Sequence, residues 1–245
     1  DRLHRGEQGM FESTGFRLFN LSGVEGPLTH FVHFRTITRG EERPPGADLE
    51  NQYLTDFQGL YLAIEQMDGR FLDEHDMPDG NLYKMEGGTG ELNSQGAYAA
   101  TDKSDLNGFI FGYYDRTPTE EWWRAAVDLQ HYYSYRSIIE AIHHYDINKQ
   151  KNYFYFRNPD SNKWQVHPWD LDQTWADNMF GSGYSDLVAA GIVRREFRNI
   201  EYQNRLREIL DLLFNADQGY ILLDEQASLI DPPADGPSMV DADRA

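Results

Sequence analysis

Apolar and polar positions along this chain follow two different periods. "FVHFRTITR" (Phe31 to Arg39) and "GLYLAIEQM" (Gly59 to Met67) alternate with the period of two that marks a half-buried strand, and "NLYKME" (Asn81 to Glu86) follows a "PDG" turn signal. The polar, Pro/Gly-rich stretch "RGEERPPGADLEN" separates the first two runs and reads as a surface loop. From Thr117 the period lengthens. "TPTE" (Thr117 to Glu120) has the form of a capping box with proline at the first helical position. Trp122, Ala126, Leu129, Tyr133, Ile139 and Ile142 then recur at steps near 3.6, predicting one long helix to about His144. "EYQNRLREILDLLFN" (Glu201 to Asn215) carries Leu206, Ile209, Leu210 and Leu213 on one stripe and predicts another helix. The pattern therefore predicts an α+β chain with a mostly β lobe over residues 1–116 and a helical lobe over 117–230. The acidic, Pro-rich stretch 231–245 reads as a poorly packed tail.

Composition narrows the function classes. At 245 residues the chain is long enough to bury a sizeable core, and 40% hydrophobic content argues against disorder. No apolar run reaches the roughly 18 residues of a membrane helix, so no membrane insertion is expected. The chain starts at Asp1 without a leader, as expected of a processed chain or a domain of something longer. With no cysteine it has no disulfide, thiolate metal site or thiol nucleophile. Forty-one acidic against 22 basic residues give a net charge of −19, which repels nucleic acid and anionic membrane and favours a basic partner if there is one. Only five bases are lysines, a pattern that fits an acidic, salt-adapted surface.

The chemistry concentrates in "YDINKQKNYFYFRNPDSNKWQVHPWDLDQTW" (Tyr145 to Trp175). "NYFYFR" and "WQVHPW" read as two strands around the turn "NPDSNK". A turn centred near Asp160 and Ser161 sets Asn152 roughly opposite Asp170, with about 5 Å between α-carbons. Asp146 lies just upstream and can face the same spot. Carboxylates with an amide oxygen suit a hard cation such as Mg²⁺, which keeps several waters and completes its shell from a phosphorylated substrate. An aspartate, an asparagine, a hairpin and a second aspartate is the order of parts used in kinase-like phosphoryl transfer. In that scheme Asp146 orients or deprotonates the acceptor hydroxyl, and Asn152 with Asp170 holds metal. Lys84, on a strand, is the candidate for the nucleotide phosphates, with Glu65 on a neighbouring strand as its ion-pair partner. Tyr153, Tyr155, Trp164 and Trp169 read as packing that holds the carboxylates still. His143, His144 and His167 match no metal-ligand spacing.

These pieces resemble the CotH-type spore-coat protein kinases, an atypical branch of the protein kinase-like fold. The resemblance runs through "GLYLAIEQMDGRFL", "GNLYK", "YDINKQKNYFYFRNP", "HPWDLDQTW" and "RLREILDLLFN", roughly Phe57 to Asn215. It implies a two-lobed kinase-like fold and phosphorylation of protein hydroxyls, usually serine, with ATP and Mg²⁺ or Mn²⁺. It also implies a secreted, surface or spore-coat location. Carried over by position, Lys84 contacts phosphates, Asp146 is the catalytic aspartate, and Asn152 and Asp170 bind metal. Asp172 is a second metal ligand or a structural carboxylate. Four features depart from ordinary kinases: no glycine-rich loop precedes Lys84, "EGGTGE" follows it, "WDLD" replaces Asp-Phe-Gly, and Asn152 follows Asp146 by six residues, not five.

Two rivals remain. Asp170, Asp172 and Thr174 match the Asp-x-Asp-x-Thr pattern of haloacid dehalogenase-like phosphatases, where the first aspartate is the nucleophile. That motif ends a buried apolar parallel strand near the N-terminus, whereas "QVHPW" holds proline and histidine and lies late in the chain. The other rival is a catalytically inactive surface or interaction domain on the same fold.

Overall fold

The alternating stretches do form strands, distributed over two sheets. β1 (Thr29–Arg35) and β2 (Phe57–Ile64) pair as an antiparallel ribbon. β3 (Asn81–Met85), β4 (Glu91–Ser94), β5 (Tyr153–Arg157) and β6 (Trp164–Pro168) make a four-stranded antiparallel sheet in the order β4-β3-β5-β6. The computed structural model describes residues 7–35, 57–87, 90–114, 118–148, 151–175 and 196–230. The loop expected after the first strand, Thr117 of the expected capping box and the tail from Asp231 lie outside the described residues.

The mixture of helix and antiparallel sheet agrees with the α+β class, and β3 pairs directly with β5, so strands from both sides of residue 117 share one sheet. Residues 1–116 are less β-rich than their pattern suggested, because they also form α1 (Glu7–Leu21), α2 (Gly69–Glu74) and α3 (Ser104–Tyr114). α1 escaped the periodicity test because it is covered on most of its circumference. Glu12, Ser13, Thr14, Phe16, Leu18 and Phe19 are all buried, so no single apolar stripe stands out.

The expected long helix is two helices. α4 (Glu120–Ala126) begins after Thr119, whose Oγ1 accepts from the Trp122 N–H at 3.2 Å. The chain then leaves helical geometry at Val127. The Asp128 N–H donates to the Trp164 carbonyl at 3.0 Å, and the Asp128 carboxylate caps α5 (Leu129–Ala141) by accepting from the His131 N–H. Bonding to the open edge of β6 thus replaces helix continuity, and aspartate supplies the new start. Downstream, α6 (Glu196–Leu213) packs on α5, with Tyr133 donating to Glu201 and Arg205 to Ser134, and α7 (Ala216–Ile230) contacts α1.

Both faces of the sheet are covered. Tyr83, Met85, Tyr153, Tyr155, Trp164 and Val166 join the main core with α1, α3 and α5. Leu82, Phe154 and Phe156 face the other way, onto Met67, Phe71 and Leu72. The expected aromatic packing is therefore what the hairpin does. Register then places the chemistry: Met85, Tyr153 and Pro168 form one row across β3, β5 and β6. The chain leaving β3, entering β5 and leaving β6 consequently meets at one end of the sheet.

Gly80, which leads into β3, has no room for a side chain. A Cβ there would run into the Arg157 carbonyl oxygen and lie 2.9 Å from both Phe156 and Pro159. Gly80→Ala is expected to lower stability by about 1–3 kcal/mol. Urea denaturation of the variant at unchanged m-value checks this, and a midpoint equal to that of the wild type would contradict the close approach.

Candidate active site

Beyond α5 the chain turns through His144, which is fully buried and whose pKa burial pushes down to about 4. It then presents Asp146, whose side chain is 12% exposed. The Asp146 carboxylate accepts from the Lys151 ammonium at 2.8 Å and from the Asn152 amide at 2.9 Å. The same amide donates to the Asp146 carbonyl at 3.1 Å, so one side chain fixes both ends of the residue. Asn152 itself is buried.

Asn152 and Asp170 both adopt left-handed backbone, at φ +71° and +57°. Asparagine and aspartate tolerate this region better than most residues, and such conformations concentrate at functional sites. The β5–β6 ladder ends at Tyr153 opposite Pro168, so Asn152 comes level with Trp169 and not with Asp170. The expected register was therefore one residue out, and the two side chains converge from beyond the ladder's end.

The segment after β6 is firmly held. Leu171 is fully buried, Thr174 donates to the Leu171 carbonyl at 2.9 Å, and the Trp175 N–H donates to the Ile142 carbonyl. On its other side lies α1. A Cβ on Gly15 would sit 2.8 Å from Cδ1 of Leu171, so the glycine lets the helix press onto this loop. One turn earlier, the buried Glu12 carboxyl lies close enough to this segment for the Leu171 backbone to pull its pKa down a little, against the larger upward push of burial.

The electrostatics show how crowded the carboxylates are. Burial, then Asp172 and Asp146, push the Asp170 pKa up to about 6, while Lys151 and Lys84 pull the other way. Burial and Asp146 raise Asp172 as well. Glu12 reaches about 7, through burial first and then through Asp170 and Asp172. Excess negative charge held partly out of water is stabilised by a cation. Among the described residues, Asp146, Asp170 and Asp172 do not bring three carboxylate oxygens within 4.8 Å of one another, so they form no ready-made cage. An incomplete set of oxygens still fits Mg²⁺, which takes one or two carboxylates and fills its shell with water and phosphate.

Lys84 reaches the same end of the sheet. Its ammonium lies 5.6 Å from the centre of the Trp169 ring and 3.6 Å from Glu86. The expected pair with Glu65 is not formed, because β2 belongs to the other sheet and is no neighbour of β3. Glu65 accepts instead from the Leu28 N–H at 2.9 Å and bonds His75 at 3.0 Å, tying the start of β1 to the end of α2. Lys151 and Glu12 went unnoticed in the sequence. Lys151 sits beside Asn152 and was there to be weighed; Glu12 lies 158 positions before Asp170, with no local pattern to mark it.

Comparison with known proteins fits this arrangement. "Inner spore coat protein H" of Bacillus subtilis (strain 168) is 23% identical over 192 residues, covering 65% of this chain and 52% of that protein. The chain thus spans about half the length of that relative. The family described as "CotH kinase protein" matches residues 10–242, nearly the whole sequence and every element above from the first turn of α1 onward. On that match the chain belongs to the CotH kinase protein family.

Proposed function

We propose that the chain is an atypical protein kinase that moves the γ-phosphoryl group of ATP to a serine or threonine hydroxyl of a protein, with Mg²⁺ or Mn²⁺. The observation that carries this reading is Asp146 fixed by Asn152 and Lys151 beside the crowded Asp170 and Asp172. Family membership supports it. The fold is then an atypical version of the two-lobed kinase arrangement, with the nucleotide against Lys84 and the end of the β5–β6 hairpin.

Each residue has a role in this scheme. Asp146 accepts the proton of the acceptor hydroxyl as its oxygen bonds to the γ-phosphorus. The bond from that phosphorus to the bridging oxygen breaks, and ADP leaves with the electron pair. Asp170, Asn152 and Asp172 hold the divalent cation, which when bound neutralises charge on the phosphates. Lys84 and Lys151 supply positive charge on either side. Glu86, not Glu65, is the acid near Lys84. Most of the acceleration comes from positioning and charge, because the transition state needs little covalent help.

The net charge of −19 favours a basic, serine-rich acceptor over an acidic one. The relative's description as a spore coat protein supports an extracytoplasmic or coat location. Among the described residues no helix is long and apolar enough to cross a membrane.

Transfer from γ-labelled ATP to paired basic and acidic serine-rich peptides, with Mn²⁺ or Mg²⁺, tests the proposal. The basic peptide should be labelled faster, and Asp146→Ala should slow labelling by about 10²–10⁴-fold. Equal rates on both peptides would remove the substrate preference. Folded protein that neither transfers phosphate nor binds ATP would make the chain an inactive interaction domain.

A further inference from the structure

Three residues far apart in sequence meet on the opposite side of β6 from the main core. Glu25 lies in the connector between α1 and β1, His131 in the first turn of α5, and His167 on β6. Nε2 of His131 is 3.2 Å from the Glu25 carboxylate, and Nδ1 of His167 is 3.8 Å from the same oxygen. One ligand atom from each residue lies within 4.8 Å of the other two. His131 and His167 are buried, with ring centres 4.9 Å apart, and the Glu25 side chain is 32% exposed.

We propose that Glu25, His131 and His167 form a site for a divalent transition metal of the Zn²⁺ class, separate from the oxygen-rich site of Asp170. Two imidazoles and one carboxylate are the donor set such ions prefer, whereas Mg²⁺ selects oxygen. Bond lengths of about 2.0–2.1 Å in a tetrahedron separate ligand atoms by about 3.3 Å. The observed 3.2 and 3.8 Å bracket that value, so small side-chain shifts complete the triangle. The exposed side of Glu25 leaves a fourth position open to water.

The carboxylate is placed by a braced backbone. Asn20 grips Gly26 in both directions, accepting from its N–H and donating to its carbonyl, each at 3.0 Å. Gly26 packs on Pro168, the residue after His167. Without metal, His167 lies 2.9 Å from the Glu25 carbonyl through Nδ1, a contact that metal binding must exchange. The outer nitrogens, Nδ1 of His131 and Nε2 of His167, are buried and have no hydrogen-bond partner. Outer hydrogen bonds of this kind are worth about 10–100-fold in affinity, so the site should bind more weakly than a fully supported one. A bound ion would join the α1–β1 connector, α5 and β6 three residues before Asp170, stiffening the strand that carries it.

Titration of the metal-free full chain with Co²⁺ reads the site directly, because tetrahedral Co²⁺ with nitrogen ligands absorbs visibly. One equivalent should bind with that spectrum and be displaced by Zn²⁺. Glu25→Gln, at the most exposed ligand, should weaken binding at least 100-fold with an unchanged far-ultraviolet circular dichroism spectrum, and His131→Gln should do the same. Asp170→Asn should leave the spectrum and stoichiometry intact, which separates this site from the nucleotide metal. No Co²⁺ or Zn²⁺ binding to folded wild type would overturn the proposal. So would binding that survives Glu25→Gln unchanged.

Discussion

Asp170→Asn is expected to abolish metal-dependent ATP binding and to slow phosphoryl transfer by about 10³-fold, while leaving the protein at least as stable as the wild type. On the proposed function, the loss follows from removing the carboxylate assigned to the metal just beyond the end of β6, where a preorganised charge contributes a factor of about 10²–10³. The unchanged or raised stability follows from the carboxylate's own situation. Its pKa is pushed up to about 6 by burial and by Asp172 and Asp146, so in the absence of metal its ionised form is strained in the folded state. Above pH 6 the neutral amide removes that repulsion. After allowance for partial exposure and screening, the gain should be about 1–2 kcal/mol. A residue that served only the fold would show the reverse, with stability and activity falling together. Calorimetry of ATP binding with and without Mg²⁺, beside urea denaturation in EDTA, gives both readouts. Metal-dependent ATP binding retained in Asp170→Asn would end the assignment of this aspartate.

How much of this was legible in the sequence depended on distance along the chain. The aromatic hairpin could be read because alternation and a turn signal lie within about two dozen residues, and Asp146, Asn152 and Asp170 came with it. The register error of one residue arose because both site residues lie beyond the ladder, in left-handed backbone that alternation does not encode. The break between α4 and α5 was encoded, in Asp128 as a cap, but the apolar steps of 3.6 continued across it and hid it. What forces the break is the hydrogen bond to Trp164, a partner 36 positions away. Glu65 was misassigned for a related reason: strand identity was legible, but membership of a sheet was not. His167 matched no metal spacing because its companions, Glu25 and His131, are 142 and 36 residues distant. Long-range placement was the part that needed the structure.

Glu12→Gln is expected to change the pH dependence of stability more than any other single substitution at this site. In the unfolded chain Glu12 loses its proton near its ordinary pKa of 4.5, whereas in the folded protein burial, then Asp170 and Asp172, hold the proton on until about 7. Between those values the folded state binds more protons than the unfolded state. Stability therefore falls as pH rises through this window, and the loss is complete above about pH 7. The upper bound for the group is about 3 kcal/mol. Glutamine cannot ionise yet nearly matches glutamate in size and shape, so the variant should lose this dependence while filling the same buried space. His144 and His167, whose pKa values burial lowers to about 4, tilt the wild-type curve the opposite way between about pH 4 and 6.5. The difference between variant and wild type isolates Glu12, because the histidines are common to both. Urea denaturation at half-unit steps from pH 4.5 to 8, in EDTA, should show Glu12→Gln gaining about 1–3 kcal/mol over the wild type by pH 7.5, and little at pH 4.5. A difference that stayed flat across that range would mean that α1 does not bring its carboxyl into the charged cluster. A difference that appeared in EDTA and shrank with Mg²⁺ would tie the repulsion on Glu12 to the same carboxylates that the proposed function assigns to the metal.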